Sequence, residues 1–369
     1  MADSPQNHFK KHLNCIKDPR HHNTRHLLHD MLLIALCAII SGADSWTQVA
    51  EYGRSKFAWF EQFLQLPNGI PSHDTFGRLF ARIDPKGFQN FFTRWVQEFS
   101  ESIKGKTVAI DGKTLRGSHD KTNGKSAIHM VSAWASELRL VLGQLKTNDK
   151  SNEITAIPEL IKTLALQGTI VTIDAMGCQK KITQTIIEEK ADYVIQVKEN
   201  QPTLHQDIAL FFKDPANGPF DTYQTTDGEH GRIETRQYFA TDNIHWLAGK
   251  HQWAGIATIC MVTRQRQVDA KTSTETAYFI SSLKCHAPTI AQSIRDHWAI
   301  ENDLHWCLDI CFREDHCRVR KDHAPENLGI LRHMAINLLK REKSLKGGLQ
   351  TKRLKAAWDH DYLLKILGS

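Results

Sequence analysis

The chain has 369 residues, 41% hydrophobic and 24% charged side chains and a formal net charge of +6. That composition is ordinary for a soluble globular protein, and the length exceeds one hydrophobic core, so two or three domains are expected, one of them interrupted by an insertion. The longest apolar run, Met31 to Ile40, falls short of the roughly 20 residues of a membrane-spanning helix and reads as a buried helix. The N-terminus has neither the basic nor the apolar part of an export signal, so a cytoplasmic location and no membrane partner are expected.

In chain order, residues 1–104 read as an N-terminal helical domain with DNA binding as its candidate role. Apolar residues recur at helical spacing in His29 to Ile40 and in Phe88 to Phe99, and Ser72 is placed to cap a helix through Phe76, Leu79 and Phe80. No recognition-helix signature stands out there. The first thirty residues carry six His and five Lys or Arg, a second and weaker candidate contact to DNA. From Thr107 the pattern changes to strands at Thr107–Ile110, Ala127–Ala135 and Leu138–Leu145. A helix over about Asn152 to Leu166, a strand at Thr169–Ile173, a helix at Gln179–Lys190 and a strand at Tyr193–Val197 follow. The order βββαβαβ predicts an α/β fold with a mixed sheet and helical crossovers over 105–212.

Residues 213–287 read as a β-rich insertion, with strands near Arg236–Ala240, Gly255–Thr263 and Thr276–Ser281. Over 288–340 a long helix presents Ile290, Ile294, Trp298, Leu304 and Leu308 as an apolar stripe, and a second helix covers about Glu326 to Lys340. A basic, peripheral tail spans 341–369. Between Arg313 and Lys355 stand twelve Lys or Arg against five Asp or Glu, a balance that suits a phosphate backbone or a solvated helix face. Eight scattered cysteines fit reduced thiols. A zinc site can be drawn from Cys307, Cys311 and Cys317 with His305, His316 and His323, but no C-x-x-C knuckle is present, and Cys307 and Cys311 serve equally well as small apolar residues.

Two acids end apolar strands. Asp111 follows Val108-Ala109-Ile110, although Asp-Gly is also a favoured hairpin turn. Asp174 follows Val171-Thr172-Ile173, at the edge where α/β sheets bind ligands. Strands one and four can be neighbours, which would bring both carboxylates to one edge, where they repel unless a cation bridges them. Magnesium prefers oxygen ligands, and a third carboxylate would complete a site for two ions. Glu301 is the candidate: it lies three residues after Trp298 and seven after Ile294, so the helix is expected to turn it toward the sheet. A salt bridge to Arg295 or a nearby His is the alternative use, and Asp309 and Asp315 keep a claim to the third position.

The segments Ile110-Asp111-Gly112-Lys113, Asp174-Ala175-Met176-Gly177-Cys178-Gln179, Lys198-Glu199-Asn200-Gln201, His230-Gly231-Arg232-Ile233-Glu234-Thr235-Arg236 and His297-Trp298-Ala299-Ile300-Glu301-Asn302 occur in an order and spacing that resembles the DDE transposases of bacterial insertion sequences, the H-repeat-associated group, over nearly the full length. The resemblance implies a ribonuclease-H-like core with the first Asp on strand one, the second after strand four and the Glu on a later helix. The broader family carries Tyr-x-x-Arg before the Glu and a Lys seven residues after it. Ile294, His297 and Leu308 hold those positions here, with Arg295, His297, His305 and Arg313 as substitutes.

The implied activity is strand cleavage at transposon ends and strand transfer into target DNA by in-line displacement, with Asp111, Asp174 and Glu301 holding two Mg2+ or Mn2+ ions. Lys198, Asn200, Arg232, Arg236, Arg295 and His297 are the expected contacts to DNA phosphates. Lys198 as a strand-edge cap and Arg232 with Glu234 as a surface pair are the structural alternatives. Double-stranded DNA, both element ends and target, is the expected partner of a homodimer associated with the nucleoid when bound. The competing functions are a metal-dependent endonuclease without joining, and a transposase-derived DNA-binding protein without turnover.

Overall fold

The computed structural model describes residues 16–20, 24–99, 103–120, 124–147, 153–229, 231–269 and 271–368. Most of the His-rich start of the chain, Asn152 and His230 lie outside the described residues. Helices α1 (Leu28–Ile40), α2 (Trp46–Ser55), α3 (Phe57–Phe60), α4 (His73–Arg82) and α5 (Pro85–Phe99) open the chain. Helix α1 is buried from Asp30 to Ile40, which accounts for its unbroken apolar run. No described helix is long and apolar enough to cross a membrane. Ser45 and Ser72 cap α2 and α4, accepting from the backbone N–H of Gln48 and Thr75, so two otherwise unpaired donors are satisfied. Trp46 stacks on Phe80 with ring centroids 4.6 Å apart and ties α2 to α4.

The core strands are β1 (Thr107–Thr114), β2 (His129–Ala135), β3 (Leu140–Lys146), β4 (Ile170–Ile173) and β5 (Asp192–Val197). Helix α6 (Glu153–Thr163) connects β3 to β4 and α7 (Lys180–Glu188) connects β4 to β5. Strands β1, β4 and β5 run parallel and β1 and β2 antiparallel, giving the mixed sheet of a ribonuclease-H-like fold. Buried residues without polar alternation, such as Ile170 to Ile173 of β4, follow from having helices on both faces.

After helix α8 (Pro202–Lys213) come four strands, β6 (Asp221–Glu229), β7 (Arg232–Thr241), β8 (Thr258–Val268) and β9 (Lys271–Ser281). They are longer than the sequence pattern indicates, because their outer halves are exposed and polar and carry no apolar signal. Strand β9 pairs antiparallel with β5, so the nine strands among the described residues form one sheet in the order β3-β2-β1-β4-β5-β9-β8-β7-β6.

The helix expected after Pro288 is interrupted. Helix α9 (Ala287–His297) leads into a π-helical turn at Ile300–His305 and then α10 (Trp306–Ile310). Such a turn adds one residue to the winding, so the inward stripe runs through Ile290, Ile294, Ile300, Leu304 and Leu308 while Trp298 stands 47% exposed. Trp298 is therefore not part of the stripe, and Glu301, exposed on the turn, is close enough to Asp111 of β1 for its charge to act on that carboxyl.

Helix α11 (Ala324–Arg341) is buried from Ala324 to Leu339 apart from Glu326. The basic tail is not peripheral: α12 (Leu349–Trp358) and α13 (His360–Leu367) pack against the core through Ala356, Tyr362, Leu363 and Ile366. Arg353 lies over the Phe312 ring at 4.1 Å and donates to the Ile39 carbonyl at 2.8 Å. Lys352 donates to the Leu339 carbonyl at 2.9 Å. These cations hold elements together, so part of the positive excess of 313–355 is structural.

Candidate active site

The parallel register of β1 and β4 sets the site. Ile110 is opposite Ile173, so Asp111 and Asp174, each one residue further on, stand at the same level on strands that are about 4.8 Å apart in any sheet. Asp174 begins the turn Ala175–Gly177, its Oδ1 accepting from the N–H groups of Met176 at 3.1 Å and Gly177 at 3.3 Å. Gly177 is required there, since a Cβ would collide with the Ile173 side chain. Asn200 donates to the Ala175 carbonyl at 2.6 Å and Gln201 to that of Cys178 at 2.9 Å. The motif after β5 thus braces the turn that carries Asp174. Asn200 thus has a structural contact beside its expected one to phosphate.

Burial raises the Asp111 carboxyl to about 7, and the charges of Asp174, Glu153 and Glu301 push in the same direction, against a hydrogen bond from the Gly112 amide. Asp174 is also raised by burial, with Glu153 adding to the rise and Lys198 opposing it. Four acids therefore sense one another at this edge. The ion-pair partner of Asp111 among the described residues is an imidazole, His305, whose Nδ1 is 3.5 Å from Oδ2. Burial lowers that imidazole to about 4, so at neutral pH it brings no positive charge.

Among the described residues no three His, Cys, Asp or Glu side chains are gathered tightly enough to enclose an ion. The donor set nevertheless fits a hard divalent cation: the donors are carboxylate oxygens, their charges are mutually unfavourable without one, and the bare backbone of Gly112 admits the Glu153 carboxylate where a Cβ would collide with it. Cys307 and Cys311 are core residues, and Cys317 Sγ donates to the Asp44 carbonyl at 3.8 Å.

Asp309 and Asp315, the alternative third acids, are engaged elsewhere. Lys113 extends from the same face of β1 as Asp111, and its Nζ lies 2.7 Å from Asp309, 3.2 Å from Asp315 and 3.8 Å from Glu314. Glu314 is fully buried and also pairs with Arg332 at 3.2 Å. Sequence reasoning gave Lys113 no role beyond its motif, and it did not single out Glu153 or His129.

Beside Asp174 a cleft of about 130 Å³ opens between the core and the long strands, lined by Lys198, Arg236, Arg264, Arg295 and Trp298. Several of these cations already have acidic partners: Arg236 binds Glu234 and Asp227, Arg295 lies 2.9 Å from Asp227, and Arg264 binds Glu275. Arg232 is 3.7 Å from Glu234, whose carboxylate is buried, so the two are not a pair of surface side chains. His297 lines the cleft with Nδ1 3.1 Å from Thr172 Oγ1, and burial lowers its pKa to about 4. At pH 7 such an imidazole is neutral, so a phosphate contact there would be through its dipole and not a charge. A larger groove of about 1080 Å³ lies elsewhere, between the starts of α2 and α4 and the segment 318–322.

Residues 10–96 match the DDE_Tnp_1-associated family model and residues 103–338 match the Transposase DDE domain. The chain belongs to the DDE transposase family. Among its relatives, YncI of Escherichia coli O157:H7 is 42% identical over 353 residues, 94% of this chain and 90% of that protein. The H repeat-associated protein YhhI of Escherichia coli K12 is 39% identical over 365 residues, 97% of each chain. A piggyBac transposase synaptic complex with hairpin DNA aligns over 96% of this chain and 79% of that one at 12% identity and a TM-score of 0.45, too distant to argue from.

Burial also lowers His333, on α11, to about 3, with His305 and Arg332 adding to the effect. A histidine depressed in the folded state stabilises it fully above the unfolded value near 6.5, and that contribution is lost as pH falls toward the folded value. Asp111 and Glu326, both raised to about 7, act in the opposite sense over the same range, so the histidine is best read by difference. Between pH 7.5 and 5, wild type is expected to lose about 1–2 kcal/mol more stability than His333→Gln, read by urea unfolding. Equal losses would mean that His333 is protonated in the fold.

Proposed function

We propose that this chain is a DNA transposase that cleaves strands at element ends and joins them to target DNA, with Asp111, Asp174 and Glu301 as the acids of a divalent-cation site. The observation that supports this most is the side-by-side register of Asp111 and Asp174 where the parallel pairing of β1 and β4 ends, with an imidazole rather than Lys or Arg beside Asp111. Mg2+ or Mn2+, when bound, would supply the positive charge that activates a water or 3′-hydroxyl and stabilises the departing oxygen. Asp111 would hold it from within β1 and Asp174 from the turn directly after β4. Glu301, on the exposed side of the π-helical turn, would approach from the helix.

Lys198, exposed and close enough to influence Asp174, is the cation best placed to meet a phosphate near the acids. Arg295 and Arg236 flank the same cleft, and DNA phosphates would compete there with Asp227. Trp298 and Trp306, 47% and 56% exposed on either side of Glu301, offer flat faces to bases near the cut. A homodimer on two DNA ends is the expected working unit. The test is incubation of the protein with linear DNA bearing the native element ends, a target plasmid and Mg2+. Cut ends covalently joined to target support the reading, cut ends never joined identify a nuclease, and binding without cutting under Mg2+ or Mn2+ identifies an inactive DNA-binding protein.

A further inference from the structure

Glu153 stands at the start of α6 and belongs to neither of the strands that carry the two aspartates. Its Oε1 is 2.6 Å from His129 Nε2, and Nδ1 of that ring is 2.8 Å from Thr114 Oγ1. One neutral tautomer satisfies both contacts, with the Thr114 hydroxyl donating to Nδ1 and Nε2–H donating to the carboxylate. A Cβ on Gly112 would collide with both Glu153 Oε1 and His129 Nε2. Gly112 thus lets a carboxylate from the far side of β1 come against the backbone next to Asp111. The side chain is 13% exposed, a poor environment for an anion kept only as a favourable charge at a helix start.

The geometry points to Glu153 as a further acid of the divalent-cation site, held in place by His129. This rests on the metal-dependent reading above and adds to it a ligand that the three-acid pattern does not contain. An imidazole that fixes the orientation of a ligating group is a usual supporting feature of metal sites, and disturbing such a shell costs about 10–100-fold in metal affinity.

The experiment is equilibrium Mn2+ binding to the full chain, followed by the electron paramagnetic resonance of free Mn2+, for wild type, Asp111→Asn, Asp174→Asn and Glu153→Gln. Glu153→Gln is expected to bind Mn2+ at least about tenfold more weakly than wild type with an unchanged circular dichroism spectrum and melting curve. Wild-type affinity in Glu153→Gln, with loss in the two Asp variants, overturns this inference alone. Mn2+ binding that changes in none of the variants overturns the metal-dependent reading and this one together. If Glu153→Gln does not fold, Fe2+-generated hydroxyl radicals on wild type give the answer: backbone cuts beside Asp111, Asp174 and Glu153 support the assignment, and cuts beside the two aspartates only overturn it.

Discussion

Asp111→Asn is expected to lower DNA strand cleavage by at least about 10³-fold, because a metal-centred charge supplies several kcal/mol to the transition state and each 1.4 kcal/mol is tenfold in rate. The same substitution should leave DNA affinity near wild type, since the proposed phosphate contacts are cations and not Asp111. It should also leave the metal-free protein at least as stable. Burial and three neighbouring acids hold the Asp111 carboxyl up to about 7, so at neutral pH the wild-type fold carries a disfavoured charge that Asn removes. The raised carboxyl favours the folded state below the ordinary Asp value and gives up that advantage as pH rises toward 7. Cleavage rates, filter binding and melting temperature together check the prediction. Cleavage within tenfold of wild type would remove Asp111 from the chemistry.

The second large effect is on stability. Glu314 and Arg332 form a buried pair 3.2 Å apart, and Lys113 brings a second cation to Glu314. Glu314→Ala leaves Arg332 charged in the interior without its carboxylate, a change expected to cost about 3–5 kcal/mol in urea unfolding. The double variant Glu314→Leu with Arg332→Met should regain most of that loss, because replacing both ions by apolar groups removes the unpaired charge. The effect should also reach the acids, since Lys113 holds the 309–315 segment to β1 two residues from Asp111. A cost below about 1 kcal/mol for Glu314→Ala would place that pair among weak surface contacts.

Asp111 and Asp174 were legible in the sequence because each directly follows a run of apolar strand residues, and the βββαβαβ order makes their strands neighbours. The continuation of the sheet into β6–β9 was not, because β5 and β9 are far apart in the chain and their pairing leaves no local mark. Glu301 was singled out by its motif and by an apolar stripe, and the stripe slipped: a π-helical turn adds one residue to the helix without changing composition, so Trp298 falls outside it. The charges of the C-terminal segment misled for a related reason. Lys352 and Arg353 look like a solvated surface in a linear chain, yet backbone carbonyls of Leu339 and Ile39 receive them inside the fold. Glu153 carried no signal at all, since its relation to Asp111 depends on the absent side chain of Gly112 and on His129 from another strand.

The proposed function requires that Asp111 of β1 and Asp174, directly after β4, hold a divalent cation. The most direct measurement is anomalous scattering from crystals of the full chain grown with Mn2+. A Mn2+ peak between the carboxylates of Asp111 and Asp174 is expected. Crystals saturated with Mn2+ that show no peak there, or a peak only at other residues, would contradict it.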